Sequence, residues 1–186
     1  MDQDKLANAI LALGCQKRDE AAFRELVNRW QPRLYYYVRR IVEDESAVWD
    51  VLQETWLAVY QNIRKLEDPR KFPAWLYKIS HNKAVSLLRR EGKYVQMAEE
   101  QIVDCSEDND TIAIAKEQAE LVHKLLGELK LSHREALTLY FLEGFSIREM
   151  AGILEVSEGT VKSRLHYAKH KMREALKGAN GVWIQK

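Results

Sequence analysis

The stretch Ser146–Lys177, SIREMAGILEVSEGTVKSRLHYAKHKMREALK, decides how the rest of the chain is read. Ser146 with Glu149 three residues on is a capping box, and Ile147, Met150, Ala151 and Leu154 recur at the spacing of one apolar helix face. Glu155 to Ser157 leaves room only for a tight connection, and Ser157 can accept a hydrogen bond from the amides that open a second helix. In that helix Val161, Leu165, Ala168 and Met172 form one inward stripe, which leaves Lys162, Ser163, Arg164, His166, Tyr167, Lys169, Lys171 and Arg173 on the outer arc. Residues 158 to 177 hold six Lys or Arg against Glu158 and Glu174, a net of +4 with His neutral. Two short helices crossing steeply, the second with a cationic, hydrogen-bonding outer face, match the dimensions of a DNA major groove. The plainer reading is a solvated basic face on an ordinary helix pair.

Working outward, 186 residues with 46% hydrophobic content allow one or two domains with real cores. The net charge of +1 conceals a strongly uneven distribution. Pro69 to Lys93 holds seven basic residues against Glu91 alone, a net of +6, whereas Tyr94 to Thr111 holds six acidic residues and no Lys or Arg, a net of −6. Basic regions therefore flank an acidic connector. Cys15 and Cys105 have no CxxC or Cys/His ligand spacing, so neither a disulfide framework nor a structural zinc site is supported and the pair suits thiols of a reducing compartment. The N-terminus carries acids early and its apolar run is short and interrupted, unlike an export signal or a membrane span, so a cytoplasmic location without membrane insertion is expected.

Helical periodicity runs through nearly every segment and no alternating strand pattern occurs, so the expected fold class is all-α: two small helical domains joined by an acidic linker, the C-terminal one a helix-turn-helix. Helices are expected within 3–13, 19–30, 32–43, 46–64, 72–91, 112–128, 132–143, 146–154 and 158–177. Pro32 suits the first turn of its helix, Ser132 with Glu135 reads as a second capping box, and Gly144 fits a helix end that needs positive φ. The domains so delimited are an N-terminal helical extension (1–19), a first domain (20–91), the linker (92–111), a second domain (112–178) and a tail (179–186).

Within the first domain, Val48, Val51, Leu52, Thr55, Val59 and Ile63 form an inward stripe, and the opposite face carries Asp50, Gln53, Glu54 and Gln61. Such a face is either plain solvent surface or a docking site; periodicity is consistent with both. The following helix interleaves Trp75 with Lys78, His81, Asn82 and Lys83, the mixture that single-stranded nucleic acid needs for base stacking and phosphate neutralisation. Core packing is the commoner use of Tyr35, Tyr36, Tyr37, Trp49, Trp56, Trp75 and Tyr77.

DVLQETWLAVYQNI (50–63), KFPAWLYKISHNKAVSLLRR (71–90) and the segment from Leu131 to Leu176 resemble extracytoplasmic function sigma factors, the small two-domain members of the bacterial sigma-70 family. The resemblance implies that Asp50, Gln53 and Glu54 dock on core RNA polymerase. It also implies that the loop Leu66–Lys71, with Arg70 and Lys71, and the helix carrying Trp75, Lys78, Asn82 and Lys83 open and capture the promoter minus-ten element. The helix from Ser157 would enter the major groove of the minus-thirty-five element. Arg148, Ser157, Thr160, Lys162, Ser163, Arg164, His166, Lys171 and Arg173 would touch DNA there. Core RNA polymerase, promoter DNA and an anti-sigma factor are the implied partners, with no cofactor, no metal and no small-molecule substrate, and the linker would thread the polymerase as a nucleic-acid mimic. Pro73, Leu66, Trp49 and Ser86 depart from residues common in the family and bear on promoter preference and local helix geometry.

Three other readings compete. His166, His170 and Glu174 at i, i+4 and i+8 could present metal ligands for an enzyme, but no HExxH, phosphate loop or nucleophile elbow accompanies them. A sigma-like decoy that binds only an anti-sigma factor would keep the fold but not the +4 recognition helix. A simple helix-turn-helix regulator leaves residues 20–91 without a role.

Overall fold

The structure is a computed structural model that describes residues 2–93, 126–127 and 129–179. The acidic stretch 94–111, most of the expected 112–128 helix, Cys105 and the tail beyond Ala179 lie outside the described residues. Among the described residues every regular element is helical, and the chain divides into two compact units.

The first unit contains α1 (Asp2–Gln16), α2 (Glu20–Val38), α3 (Glu45–Asn62) and α4 (Phe72–Arg90), with 3-10 turns at Ile63–Lys65 and Pro69–Lys71 before α4. One residue both closes α1 and opens α2. Arg18 turns the chain at φ 64°, Asp19 N–H donates to the Gly14 carbonyl at 3.1 Å, and the Asp19 carboxylate accepts from the Ala21 and Ala22 amides at 2.9 and 3.1 Å. The two helices meet so closely that a Cβ at Gly14 would stand 2.7 Å from that of Ala22. Asp44 caps α3 in the same way, accepting from the Ala47 amide at 2.8 Å.

The expected break at Pro32 does not occur, since α2 runs through it as one helix and stops at Val38 rather than 43. Proline removes the N–H that the Asn28 carbonyl would accept. Both residues are exposed, so water can take up that carbonyl and the helix continues. Beyond Val38 a tight turn, with the Ile41 and Val42 amides both donating to the Val38 carbonyl at 2.8 Å, buries Ile41 and Val42 against the core.

That core is built from the inward stripes of α2 (Leu26, Trp30, Leu34, Tyr37), α3 (Val48, Leu52, Trp56, Val59) and α4 (Phe72, Leu76, Tyr77, Ala84). Tyr37 and Tyr77 meet at 5.0 Å between ring centroids, and Trp30 stands edge-on to Phe72 and Tyr77 at 6.2 Å. Each large apolar side chain buried here contributes about 1.5–3 kcal/mol. Of the seven aromatics assigned to the core from sequence, Tyr37, Trp56 and Tyr77 are buried, Tyr35, Tyr36 and Trp75 are half-buried, and Trp49 is exposed.

The second unit contains α5 (Leu131–Leu137), a π-helical turn (Thr138–Leu142), α6 (Ile147–Leu154) and α7 (Glu158–Ala179). The expected capping box at Ser132 and Glu135 does not open this helix. The helix already begins at Leu131 with Lys130 in the cap position, so both residues lie within the helix, where they are buried. The widened turn that follows carries Glu143 N–H to the Thr138 carbonyl at 3.2 Å and keeps Leu137 and Leu139 buried, while Tyr140 and Leu142 face outward. Gly144, at φ 73°, ends it as the sequence led one to expect. α5 packs along α7, whose Val161, Leu165, Ala168 and Met172 are buried.

Candidate nucleic-acid interface

The Ser146 capping box closes in both directions. Ser146 N–H donates to Glu149 Oε2 at 2.9 Å and Glu149 N–H to Ser146 Oγ at 3.3 Å, which starts α6 at a defined residue. At its other end Glu155 adopts φ 55° and Val156 N–H reaches back to the Ala151 carbonyl at 3.2 Å, a glycine-type termination carried out by a glutamate. Ser157 then caps α7, its Oγ accepting from Thr160 N–H at 3.0 Å and lying 2.9 Å from the Thr160 hydroxyl. The helix-turn-helix is therefore set by hydrogen bonds at each of its joints. Ser157 and Thr160, expected to touch DNA, hold the N-terminus of α7 in shape.

Along α7, Ser157 and Lys171 are exposed and Thr160, Lys162, Arg164, His166 and Arg173 half-buried, while Arg148 is exposed on α6. Ser163 differs from expectation, because it is fully buried. A small hydroxyl can be enclosed at little loss once it has a hydrogen-bond partner, and periodicity alone places it only by angle. Lys171 is drawn to Glu174 at 3.0 Å, and His170 stands 3.6 Å from the same carboxylate. His170 and Glu174 are thus partners of each other and of a lysine. Among the described residues no cluster of three His, Cys, Asp or Glu has the geometry to hold a metal.

In the first unit the basic, aromatic surface lies on α4. Trp75, Lys78 and Asn82 step by three and four residues and occupy one stripe, with the Trp75 ring half-exposed and the Asn82 amide exposed. Lys83 lies beside this stripe and reaches away from it, donating to Glu54 of α3 at 3.1 Å. The loop before α4 is organised by Asp68, whose carboxylate accepts from the Arg70 amide at 3.0 Å and from the Arg70 guanidinium at 2.9 and 3.1 Å. That fork of hydrogen bonds holds the Asp68 carboxyl below its ordinary range and raises the Arg70 guanidinium. Arg70 and Lys71 remain exposed at the loop tip.

Asp50, Gln53 and Glu54 are exposed together on α3. The face is not purely polar. Trp49, Leu57 and Tyr60 are 43%, 57% and 57% exposed on the same helix, so an apolar strip accompanies the carboxylates. Trp49 tilts against Tyr35 at 5.1 Å and Tyr60 stands edge-on to Phe23 at 5.4 Å, which holds both rings at the surface. Leu57 and Tyr60 were not singled out from the sequence, although their spacing from Gln53 could have placed them. Gln16, at the end of α1, was also missed: its side-chain amide reaches the carbonyls of Ile63 and Leu66, 47 and 50 residues away, and no local signal foretells this.

Residues 26–94 match sigma-70 region 2 and residues 119–172 match sigma-70 region 4. The ECF RNA polymerase sigma-E factor of Escherichia coli strain K12 is 27% identical over 177 residues, covering 89% of this chain and 92% of that protein. The ECF RNA polymerase sigma factor SigW of Bacillus subtilis is 24% identical over 173 residues, covering 87% and 92%. Among solved structures, CnrH in complex with the cytosolic domain of CnrY is similar with a TM-score of 0.66 at 27% identity, covering 94% of this chain and 99% of that one. With region 2 carrying the exposed α3 and α4 surfaces and region 4 carrying the helix-turn-helix, the chain belongs to the sigma-70 family, within its ECF group of RNA polymerase sigma factors.

Proposed function

We propose that this sigma factor binds core RNA polymerase through Asp50, Gln53 and Glu54 of α3, together with the neighbouring Trp49, Leu57 and Tyr60. It directs initiation by reading two promoter elements. The loop Leu66–Lys71 and the α4 stripe of Trp75, Lys78 and Asn82 take the melted minus-ten strand, and α7 enters the major groove of the minus-thirty-five element with Lys162 and Arg164 nearest the bases. The observation that carries this reading is the α4 stripe, where a half-buried indole and an exposed amide flank the Lys78 cation on one helix face. Stacking and hydrogen bonding to unpaired bases need those groups, and duplex anchoring does not.

Residues 20–91 and 112–178 act as the two reading domains and 92–111 as their acidic connector. Each basic surface alone gives weak, salt-sensitive phosphate binding; holding both on one polymerase raises their effective concentration at a promoter. The protein works in the cytoplasm as an initiation factor and not as an enzyme. Among the described residues no helix is long and apolar enough to cross a membrane. An anti-sigma factor is its expected regulator, by analogy with CnrH, which was solved with a second protein bound.

Permanganate footprinting of unpaired thymines tests the division of labour. Asn82→Ala should slow promoter opening while leaving upstream occupancy by holoenzyme unchanged. Wild-type opening kinetics in this variant would count against the α4 assignment.

A further inference from the structure

Gln16 belongs to none of the surfaces assigned to polymerase or promoter, yet both N–H groups of its side-chain amide are placed. Nε2 donates to the Ile63 carbonyl at 3.0 Å and to the Leu66 carbonyl at 2.7 Å. These two carbonyls bracket the 3-10 turn from which the loop Leu66–Lys71 departs, a turn otherwise closed by Leu66 N–H to the Ile63 carbonyl at 3.2 Å. Arg64, inside the turn, returns a bond from Nε to the Gln16 carbonyl at 3.2 Å. One end of the loop is thus tied to the end of α1. The other end is fixed by Phe72, which is fully buried, and between them the Asp68 carboxylate grips Arg70. Only Glu67, Arg70 and Lys71 are left exposed in the intervening chain.

We propose that Gln16 is a positioning residue for promoter melting: it fixes the base of the loop so that Arg70 and Lys71 meet the opened strand at a set place, without touching DNA itself. This rests on the assignment of that loop to the minus-ten element. The chemistry suits an amide. Two carbonyls in one turn need two donors, which one amide nitrogen supplies, and Gln16 is half-buried, so its bonds are shielded in part from competing water. Without it the Leu66 carbonyl turns to solvent and the loop gains conformational freedom that DNA capture must then remove.

Full-length protein bound to core polymerase on a linear promoter provides the test, with permanganate reactivity reporting opening and polymerase affinity measured separately. Gln16→Ala should slow opening about tenfold, with polymerase affinity and upstream occupancy within about twofold of wild type. Gln16→Lys, which keeps a donor, should retain most of the opening rate. Gln16→Glu, close in size but presenting a carboxylate to two carbonyls, should fall below Gln16→Ala. A merely space-filling role would order these variants by size and spare the glutamate. Wild-type opening in Gln16→Ala and Gln16→Glu, or equal impairment of the lysine and glutamate variants, would overturn the proposal; the second comparison stands even where the alanine variant folds poorly. The double variant Arg70→Ala/Lys71→Ala in the same assay tests the loop assignment. Normal opening there removes that assignment and the proposal with it, whereas impaired opening there beside normal opening in every Gln16 variant removes the proposal alone.

Discussion

Reversing the charges of the α3 face, Asp50→Arg with Glu54→Arg, should separate docking from folding. Both side chains are exposed and lie one turn apart, opposite the buried stripe of Val48, Val51, Leu52 and Val59, so the core is untouched. The fold loses one interaction, the Glu54 to Lys83 pair at 3.1 Å, whose side chains are 55% and 37% exposed. Such a pair is worth up to about 1 kcal/mol, and an arginine placed beside Lys83 adds a repulsion of similar size. At a cationic partner each reversal turns attraction into repulsion. Two unit charges about 4 Å apart in water interact by about 1 kcal/mol, so each site shifts by about 2 kcal/mol and both together by about 4 kcal/mol, close to a thousandfold in affinity. The assay is equilibrium binding of full-length protein to core polymerase, with the melting curve of each variant as the control for folding. Lys83→Ala breaks the same ion pair while leaving the docking face intact, and it should bind polymerase nearly as wild type. Unchanged polymerase affinity in the well-folded double variant would refute the docking surface, as would a Lys83→Ala defect as large as the reversal.

Within the reading helix, Arg164 and Arg173 lie nine residues apart, about 13 Å along the axis, so they should fail in different ways. Arg164→Ala should cost roughly 1–3 kcal/mol at a cognate upstream element and relax preference at one base pair, whereas Arg173→Ala should weaken all sequences alike and flatten the salt dependence; identical base-preference profiles on a single-base panel would place the helix wrongly. Gly14→Ala should destabilise the first unit by about 1–2 kcal/mol net in urea unfolding, because overpacking at 2.7 Å from Ala22 outweighs the gain in helix propensity; equal or greater stability would contradict the close approach. Burial and the nearby Asp19 carboxylate push the Cys15 thiol from 9.0 to about 11, so it should alkylate far more slowly in the folded protein than in urea at pH 8. Its raised value also fixes a sign: the folded form holds the proton more tightly, so this contribution is complete below pH 9 and is lost as pH rises toward about 11.

The helix-turn-helix was legible because its signals are local. Ser146 with Glu149, Ser157 ahead of Thr160 and Gly144 each act within a few residues, and each closes as expected. Ser132 with Glu135 has the same spacing as Ser146 with Glu149, yet Ser132 is not the cap, because the helix starts two residues earlier, with Lys130 in the cap position. Spacing proposes a cap and the backbone around it decides. Pro32 failed as a break for a related reason, since its penalty depends on whether water can reach the orphaned Asn28 carbonyl, and here both residues are exposed. Trp49 and Trp56 lie seven residues apart, within about 20° of each other around one helix, so periodicity could not tell the exposed ring from the buried one. The burial of Ser163, the Glu54 to Lys83 pair and the reach of Gln16 to the loop are products of tertiary packing, outside anything a window of sequence contains.

The most direct test of the central claim is transcription reconstituted from core RNA polymerase and this chain on a library of promoter fragments. Initiation should depend on the added protein and select fragments that share an upstream and a downstream element at one fixed separation, with the downstream thymines reactive to permanganate. Transcripts identical to those of core polymerase alone, or stable binding of the protein to duplex sites without any polymerase contact, would contradict it.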